Sequence, residues 1–275
     1  MASEGLQGHR ARKRFGQNFL HDRHWIERIA KAVNATEGDD IVEIGPGQAA
    51  LTRELFAGAG KVRAVEIDRD LAAWLKETFP ESLSLIEADA LTLDWTQVAK
   101  NDNLRVVGNL PYNISSPLLF KLLEAADHVK DQHFMLQKEV VDRMVAQHGS
   151  KTYGRLSVML QWRYRMQKLF DVPPGAFNPP PKVMSSVVRM IPKAKEEVPS
   201  VDFELFSSVV ANAFSQRRKT IRNALSALLS AEEIAACDVD PGARAEALPL
   251  DAFVRLAQKA EALGRKAVTP GTTVD

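Results

Sequence analysis

The chain carries one cysteine, Cys237, in 275 residues. That excludes an internal disulfide and any cysteine-built metal cluster, and it fits a reducing compartment. There is no apolar run long enough to span a bilayer, and the polar, basic stretch from Ser3 to Arg14 holds nothing like a secretory leader. A cytoplasmic protein with no membrane segment is therefore expected. Net charge is scarce too: 36 basic residues against 35 acidic ones leave +1, which rules out a uniformly basic protein that coats nucleic acid. The histidines number six and fall at no ligand-like spacing, so no metal is expected.

The charges that are present are unevenly placed. Four cations and no acid lie between Arg10 and Arg14, and six cations and no acid between Arg143 and Lys168. From Leu205 to Ala231 the only charges are Arg217, Arg218, Lys219 and Arg222. A single block of this kind is an ordinary solvated helix face; three in a near-neutral chain favour a polyanion partner. Arg12, Lys13 and Arg14 on the arm, with Arg217, Arg218, Lys219 and Arg222, are the candidate contacts to the phosphates of such a partner.

Hydrophobic residues at 45% and charged residues at 26% match an ordinary globular protein, and the length allows one full core plus a smaller one. Asp22 is placed to cap a helix with Trp25, Ile26, Ile29, Ala30 and Val33 on one face. Asp40 to Ile44 reads as a buried strand, followed by a glycine turn and a helix bearing Leu51, Leu55 and Phe56. Strands at Lys61–Glu66, Leu83–Ile86 and Arg105–Val107 alternate with helices at Leu71–Phe79 and Pro117–Leu123, the last with Ser116 as its cap. That alternation predicts an α/β fold with a doubly wound, mostly parallel sheet. Phe134–Leu136 and Ser185–Met190 add strands, the latter as an antiparallel edge. Pro192 to Pro199 reads as a linker, and the periodic segments beyond it as helices. The expected domains are thus 1–195, a Rossmann-like domain with a basic N-terminal arm; 200–265, a helical RNA-binding domain; and 266–275, a flexible tail.

Gly45-Pro46-Gly47 sits between a strand and a helix, where glycines let the backbone turn tightly and come close to a ligand. Glu66, at the end of the next strand, can accept from both hydroxyls of a ribose. These features serve a nicotinamide dinucleotide and S-adenosylmethionine equally. Asn109-Leu110-Pro111-Tyr112 at the end of the fourth strand separates the two. The amine of adenine is a poor nucleophile because its lone pair is delocalised into the ring. The Asn109 carboxamide oxygen and the Leu110 or Pro111 carbonyl can take its two hydrogens, while Tyr112 offers a stacking face to an extruded base. Taken alone, the same four residues are an ordinary turn after a strand. Asp89 can accept from the cofactor's adenine amine or simply cap a helix. Phe177, in the stiff Phe177–Val183 loop, can close over the other face of the base or anchor the loop in the core.

In their order, Arg14 to Leu20, the glycine motif, Glu66, Asp89, Asn109 to Tyr112, Phe177 to Val183 and Phe214 to Leu225 closely resemble the small-subunit ribosomal RNA adenine dimethyltransferases, the enzymes tied to kasugamycin sensitivity in bacteria. The resemblance runs over nearly the whole chain. It implies a Rossmann-like methyltransferase domain, a helical C-terminal domain and S-adenosylmethionine as cofactor. It further implies dimethylation of two adjacent adenosines in the 3′-terminal hairpin loop of small-subunit (16S) rRNA during assembly, within an immature small subunit; a monomer is expected. Carried over by position, Asn18, Leu20, Gly45, Glu66, Asp89 and Asn109 contact the cofactor, with Gly47 in the same loop. Ala49 departs from the pattern, standing where many methyltransferases have a third glycine. Large-subunit rRNA methylation, a non-catalytic assembly factor and a nicotinamide-dependent oxidoreductase are the competing readings. The last lacks a hydride-transfer partner residue.

Overall fold

The computed structural model describes residues 6, 11–12, 16–99, 101–216 and 218–270. The chain divides into two compact units, Met1–Val141 with Arg165–Pro192, and Asp142–Tyr164 with Lys193–Asp275. In the first unit the elements run β1 (Phe19–Leu20), α1 (Arg23–Val33), β2 (Asp40–Ile44), α2 (Ala50–Ala59), β3 (Val62–Glu66), α3 (Arg69–Thr78), β4 (Leu83–Glu87), α4 (Trp95–Val98), β5 (Leu104–Asn109), α5 (Ser115–Leu122) and β6 (Val129–Gln137). The chain continues through α6 (Lys138–Met144), α7 (Arg155–Arg163), β7 (Tyr164–Val172), β8 (Phe177–Asn178) and β9 (Ser185–Pro192).

The main sheet has seven strands in the order β4-β3-β2-β5-β6-β9-β7. β2 pairs in parallel with both β3 and β5, and β9 runs antiparallel to β6. Four of the five residues of β2 are buried, as a central parallel strand covered on both faces requires. The sequence order reverses between β2 and β5. In an open α/β sheet the crevice beyond the carboxyl ends of those two strands is where a ligand binds. Gly108 keeps that point tight: a Cβ there would lie 2.8 Å from the Ile44 carbonyl oxygen.

Arg105 on β5 ties several elements together. Its guanidinium donates to both oxygens of Asp131 on β6 at 2.9 Å, to Asp39 at 2.7 Å, and to the Val33 and Asn34 carbonyls that end α1. All five N–H groups of the fork are used. Burial alone would raise the Asp39 pKa, but hydrogen bonds from Thr36, Arg105 and Lys130 hold it at about 2.

Several expected boundaries move. β9 is not an edge strand, because β7, which the sequence does not announce, lies outside it. β6 is nine residues long rather than three. α5 begins at Ser115 with Ile114 as its cap residue; the expected cap, Ser116, is inside the helix, and the Ser115 hydroxyl donates to the Tyr112 carbonyl. β1 and β8 form a separate antiparallel pair, Phe19 opposite Asn178 and Leu20 opposite Phe177.

The second unit contains α8 (Phe203–Phe214), α9 (Ile221–Ala224), α10 (Ala231–Ala235) and α11 (Leu250–Ala262), with α7 packed against α8 and α11. The expected single boundary near residue 195 is corrected here, since Asp142–Tyr164 belongs to this unit as well. The reason is aromatic packing: Trp162 lies 5.4 Å from Phe206 and Tyr153 lies 6.0 Å from Phe214, centroid to centroid. The tail expected to be flexible from residue 266 is corrected in part, because Val268 is held on α8. Its N–H donates to the Ser208 hydroxyl at 2.8 Å, and its carbonyl accepts from Ser208 at 2.7 Å and Asn212 at 3.0 Å. Residues 271–275 lie outside those described. Among the described residues no helix is long and apolar enough to cross a membrane.

Candidate active site

At the switch point lies a cavity of about 300 Å³, built within the first unit from the loop after β2, the ends of β3 and β5, the turn after β4, and the arm residues Gly16–Leu20. Glycines shape its rim. Gly45 and Gly47 sit at φ 66° and 56°, the left-handed region that favours a residue without a side chain. A Cβ on Gly45 would meet nothing within 4 Å, whereas one on Gly47 would lie 3.0 Å from the Phe19 ring, which lines the same cavity. Ala49 is also left-handed, at φ 61°, and is fully buried. Its methyl group joins the core beneath α2.

Two carboxylates are buried beside this loop. Glu66 accepts from the Asp68 N–H at 2.8 Å and more weakly from the Gly47 N–H at 3.4 Å. Burial pushes its pKa up. Each of its oxygens keeps acceptor capacity that a ribose diol would fill. Glu43 accepts the Thr52 hydroxyl at 2.6 Å, and burial, with repulsion from Glu66, raises its pKa to about 7. A carboxyl shifted upward on folding stabilises the native state fully below its unfolded pKa and loses that contribution as pH rises through the folded value. Ligand-free protein should therefore lose up to about 3 kcal/mol between pH 4.5 and 7 on account of Glu43. Glu43→Gln should remove that fall, read by urea unfolding across the range. Parallel curves for variant and wild type would refute it.

Asn109 ends β5 with its carboxamide fixed, since Nδ2 donates to the Asn18 carbonyl at 3.0 Å. That bond assigns the amide orientation and leaves Oδ1 as the free acceptor. The two carbonyls that the sequence left open are distinguished: Pro111 accepts from the Ile114 N–H at 3.2 Å, while Leu110 donates its own N–H to Met135 and no donor meets its carbonyl among the described residues. The Tyr112 hydroxyl is 2.8 Å from the Ser185 hydroxyl on β9. Asp89 uses Oδ1 to cap its turn, accepting the Leu91 N–H at 2.9 Å, and still lines the cavity. Its two sequence readings are therefore compatible.

Phe177 is a correction. Paired across from Leu20, it is 3% exposed, packs in the core with Ile29 and Val187, and is not part of the cavity wall. The turn at Pro174–Ala176 directs it inward, so it anchors the loop rather than covering a base. Arg12, expected on the RNA surface, is ion-paired in this structure with Asp68 at 2.9 Å and with Asp70. Lys13, Arg14 and Arg217 lie outside the described residues. Arg218, Lys219 and Arg222 are exposed on the second unit and make no ion pair among the described residues. Sequence reasoning missed Gln17, Phe19 and Ile67 in the cavity wall; Ile67, apolar yet 43% exposed, was findable as the neighbour of Glu66. Among the described residues no group of three or more His, Cys, Asp or Glu side chains is arranged to hold a metal ion.

The geometry fits S-adenosylmethionine: a glycine-lined opening, a carboxylate with spare acceptors, and paired oxygen acceptors at the far end. A family model described as ribosomal RNA adenine dimethylase matches residues 8–261. The small-subunit ribosomal RNA methyltransferase A of Thiobacillus denitrificans is 57% identical over 241 residues, covering 87% of this chain and 94% of that one. Among solved structures, a dimethyladenosine transferase from Plasmodium falciparum superposes with a TM-score of 0.79 at 25% identity, over 91% of this chain and 100% of that one. A 23S rRNA methyltransferase, ErmE, gives 0.67 at 26%, over 89% and 100%. A match of this extent, on a pocket of this form, means that the chain belongs to the ribosomal RNA adenine dimethylase family of S-adenosylmethionine-dependent methyltransferases.

Proposed function

We propose that this protein dimethylates the N6 amines of two adjacent adenosines in the 3′-terminal hairpin loop of small-subunit (16S) rRNA, acting in the cytoplasm on an immature small subunit. The observation that carries the reading is the pair of unspent acceptors, Asn109 Oδ1 and the Leu110 carbonyl, side by side in the chain at the end of β5. S-adenosylmethionine supplies an electrophilic methyl group on a positively charged sulfur. Asn109 and Leu110 accept the two amine hydrogens, drawing the nitrogen lone pair out of conjugation and aiming it into the cavity. Tyr112, its hydroxyl tethered to Ser185, stacks on the extruded base. The proton leaves to solvent after transfer. For the second methylation the amine has one hydrogen fewer, and Asn109 retains it.

On the cofactor side, Glu66 takes the ribose hydroxyls and Asp89 the adenine amine, with Gly45, Gly47, Asn18 and Leu20 completing the wall. All these groups come from one chain, so the site is complete in a monomer. The small-subunit target rests on the 57% identity to a relative of that name, against 26% to the 23S enzyme. The test is transfer of labelled methyl to immature small subunits, with large subunits in parallel, followed by nucleoside analysis. N6,N6-dimethyladenosine from small subunits alone is expected; label confined to large subunits would overturn the target, and no label the chemistry.

The exposed Arg218 and Arg222 support a phosphate-contacting role for the second unit. Arg218→Glu with Arg222→Glu should lower RNA affinity and reduce the steepness of log affinity against log salt by about two. An unchanged slope in a salt titration would remove these residues from the RNA surface.

A further inference from the structure

We propose that Arg12 and Gln17 are positioning residues for the cofactor, forming a latch that sets the ribose-binding loop and Asn109 together; the proposal rests on the cofactor assignment above. Arg12 NH1 meets Asp68 Oδ1 at 2.9 Å, and its other terminal nitrogen meets Asp70. The Gln17 side chain bridges the two ends: its oxygen accepts the Arg12 N–H at 2.8 Å, and its amide donates to Asp68 Oδ2 at 3.0 Å. The Asp68 carboxylate is fully buried. It caps α3 by accepting from the Asp70 N–H, and its own N–H donates to Glu66. The neighbouring arm residues reach the other two parts of the site, with the Asn18 carbonyl holding Asn109 and the Phe19 ring lying against Gly47.

The arrangement answers an electrostatic problem. Asp68 lies two residues from Glu66, and its charge helps push the Glu66 carboxyl up. The Arg12 guanidinium on the far side of Asp68 pairs with that carboxylate and so offsets its repulsion of Glu66, the group that would accept the ribose hydroxyls. Gln17 and Asn18 are adjacent, so whatever fixes Gln17 on Asp68 also fixes the carbonyl that orients Asn109. An exposed pair at one end of the latch would contribute little by itself; the buried carboxylate gives it weight.

Cofactor binding to the full chain, measured by calorimetry without RNA, tests this. Arg12→Met and Gln17→Leu should each weaken S-adenosylmethionine binding by about tenfold. The double variant should be no weaker than the sum of the two effects and closer to either alone, as expected for one shared network. KM for the cofactor should rise in step, and kcat should fall as well in Gln17→Leu, because the Asn18 carbonyl that orients Asn109 is loosened with it. Arg12→Lys, which keeps the charge and loses the fork, should recover part of the affinity. Asp70→Asn gives an independent variant on an exposed side chain, with the same direction expected. Unchanged cofactor affinity in Arg12→Met and Gln17→Leu would overturn the latch, as would lost RNA affinity with cofactor binding intact. Wild-type protein that binds no S-adenosylmethionine would instead overturn the functional assignment beneath it.

Discussion

Asn109→Ala should lower the single-turnover rate of methyl transfer by at least about 10²-fold, the scale seen when one preorganised polar contact to a reacting group is removed. RNA affinity should stay within about twofold of wild type, because the carboxamide acts on one amine and phosphate contacts supply most of the binding. The structure sharpens the expectation beyond loss of an acceptor. Asn109 also donates to the Asn18 carbonyl, so the alanine variant releases that end of the arm, and cofactor affinity should fall as well. Equal loss of turnover and RNA binding would mean that Asn109 shapes the RNA surface instead, and would sink its catalytic role.

The largest effect on stability should come from Arg105→Leu. Its guanidinium is the hub between two carboxylates, Asp39 and Asp131, whose side chains are 8% and 6% exposed. Removing one partner of a buried network leaves uncompensated charge and typically costs about 3–5 kcal/mol, a large share of the roughly 5–15 kcal/mol that holds a domain together. The pH dependence provides a check. Asp39 is held at about 2 against its ordinary 3.8. Its contribution is present above the unfolded value and is lost as pH falls through the folded one. The deficit of the variant, measured by urea unfolding, should therefore be full at neutral pH and narrow below about pH 4. A constant gap at all pH values would point to lost packing rather than lost charge pairing.

The elements that bear the cofactor pocket were legible in the sequence because each has a short-range cause. Asp40–Ile44 is an apolar run ended by glycines, and Asp22 precedes a clean helical stripe; both form where expected. β6 was read at a third of its length for a physical reason. Lys130, Asp131, Gln132 and His133 look like a surface loop, yet Asp131 is buried against Arg105 and His133 is 2% exposed, its pKa lowered to about 4 chiefly by burial. Periodicity cannot reveal a strand whose buried Asp131 is paired with an arginine 26 residues away. The ion pairs of Arg12 were hidden for the same reason, since its carboxylate partners lie more than fifty positions along the chain. Phe177 turned on a pairing with Leu20 that a two-residue strand does not advertise. In the catalytic motif the residue types were plain, but the choice of the Leu110 carbonyl over that of Pro111 needed the turn hydrogen bond to Ile114.

The second unit is assembled from two stretches of chain, Asp142–Tyr164 and Lys193–Asp275, with β7, β8 and β9 of the first unit made between them. During synthesis, therefore, α7 emerges well before α8 and α11, and Trp162 and Tyr153 must wait for the aromatic residues that later surround them. A chain ended at Pro192 would leave that helix with its apolar face bare, a sticky remnant prone to self-association. The helical unit is thus not a detachable cassette: exchanging it between relatives takes two splices, one on each side of the returning strands.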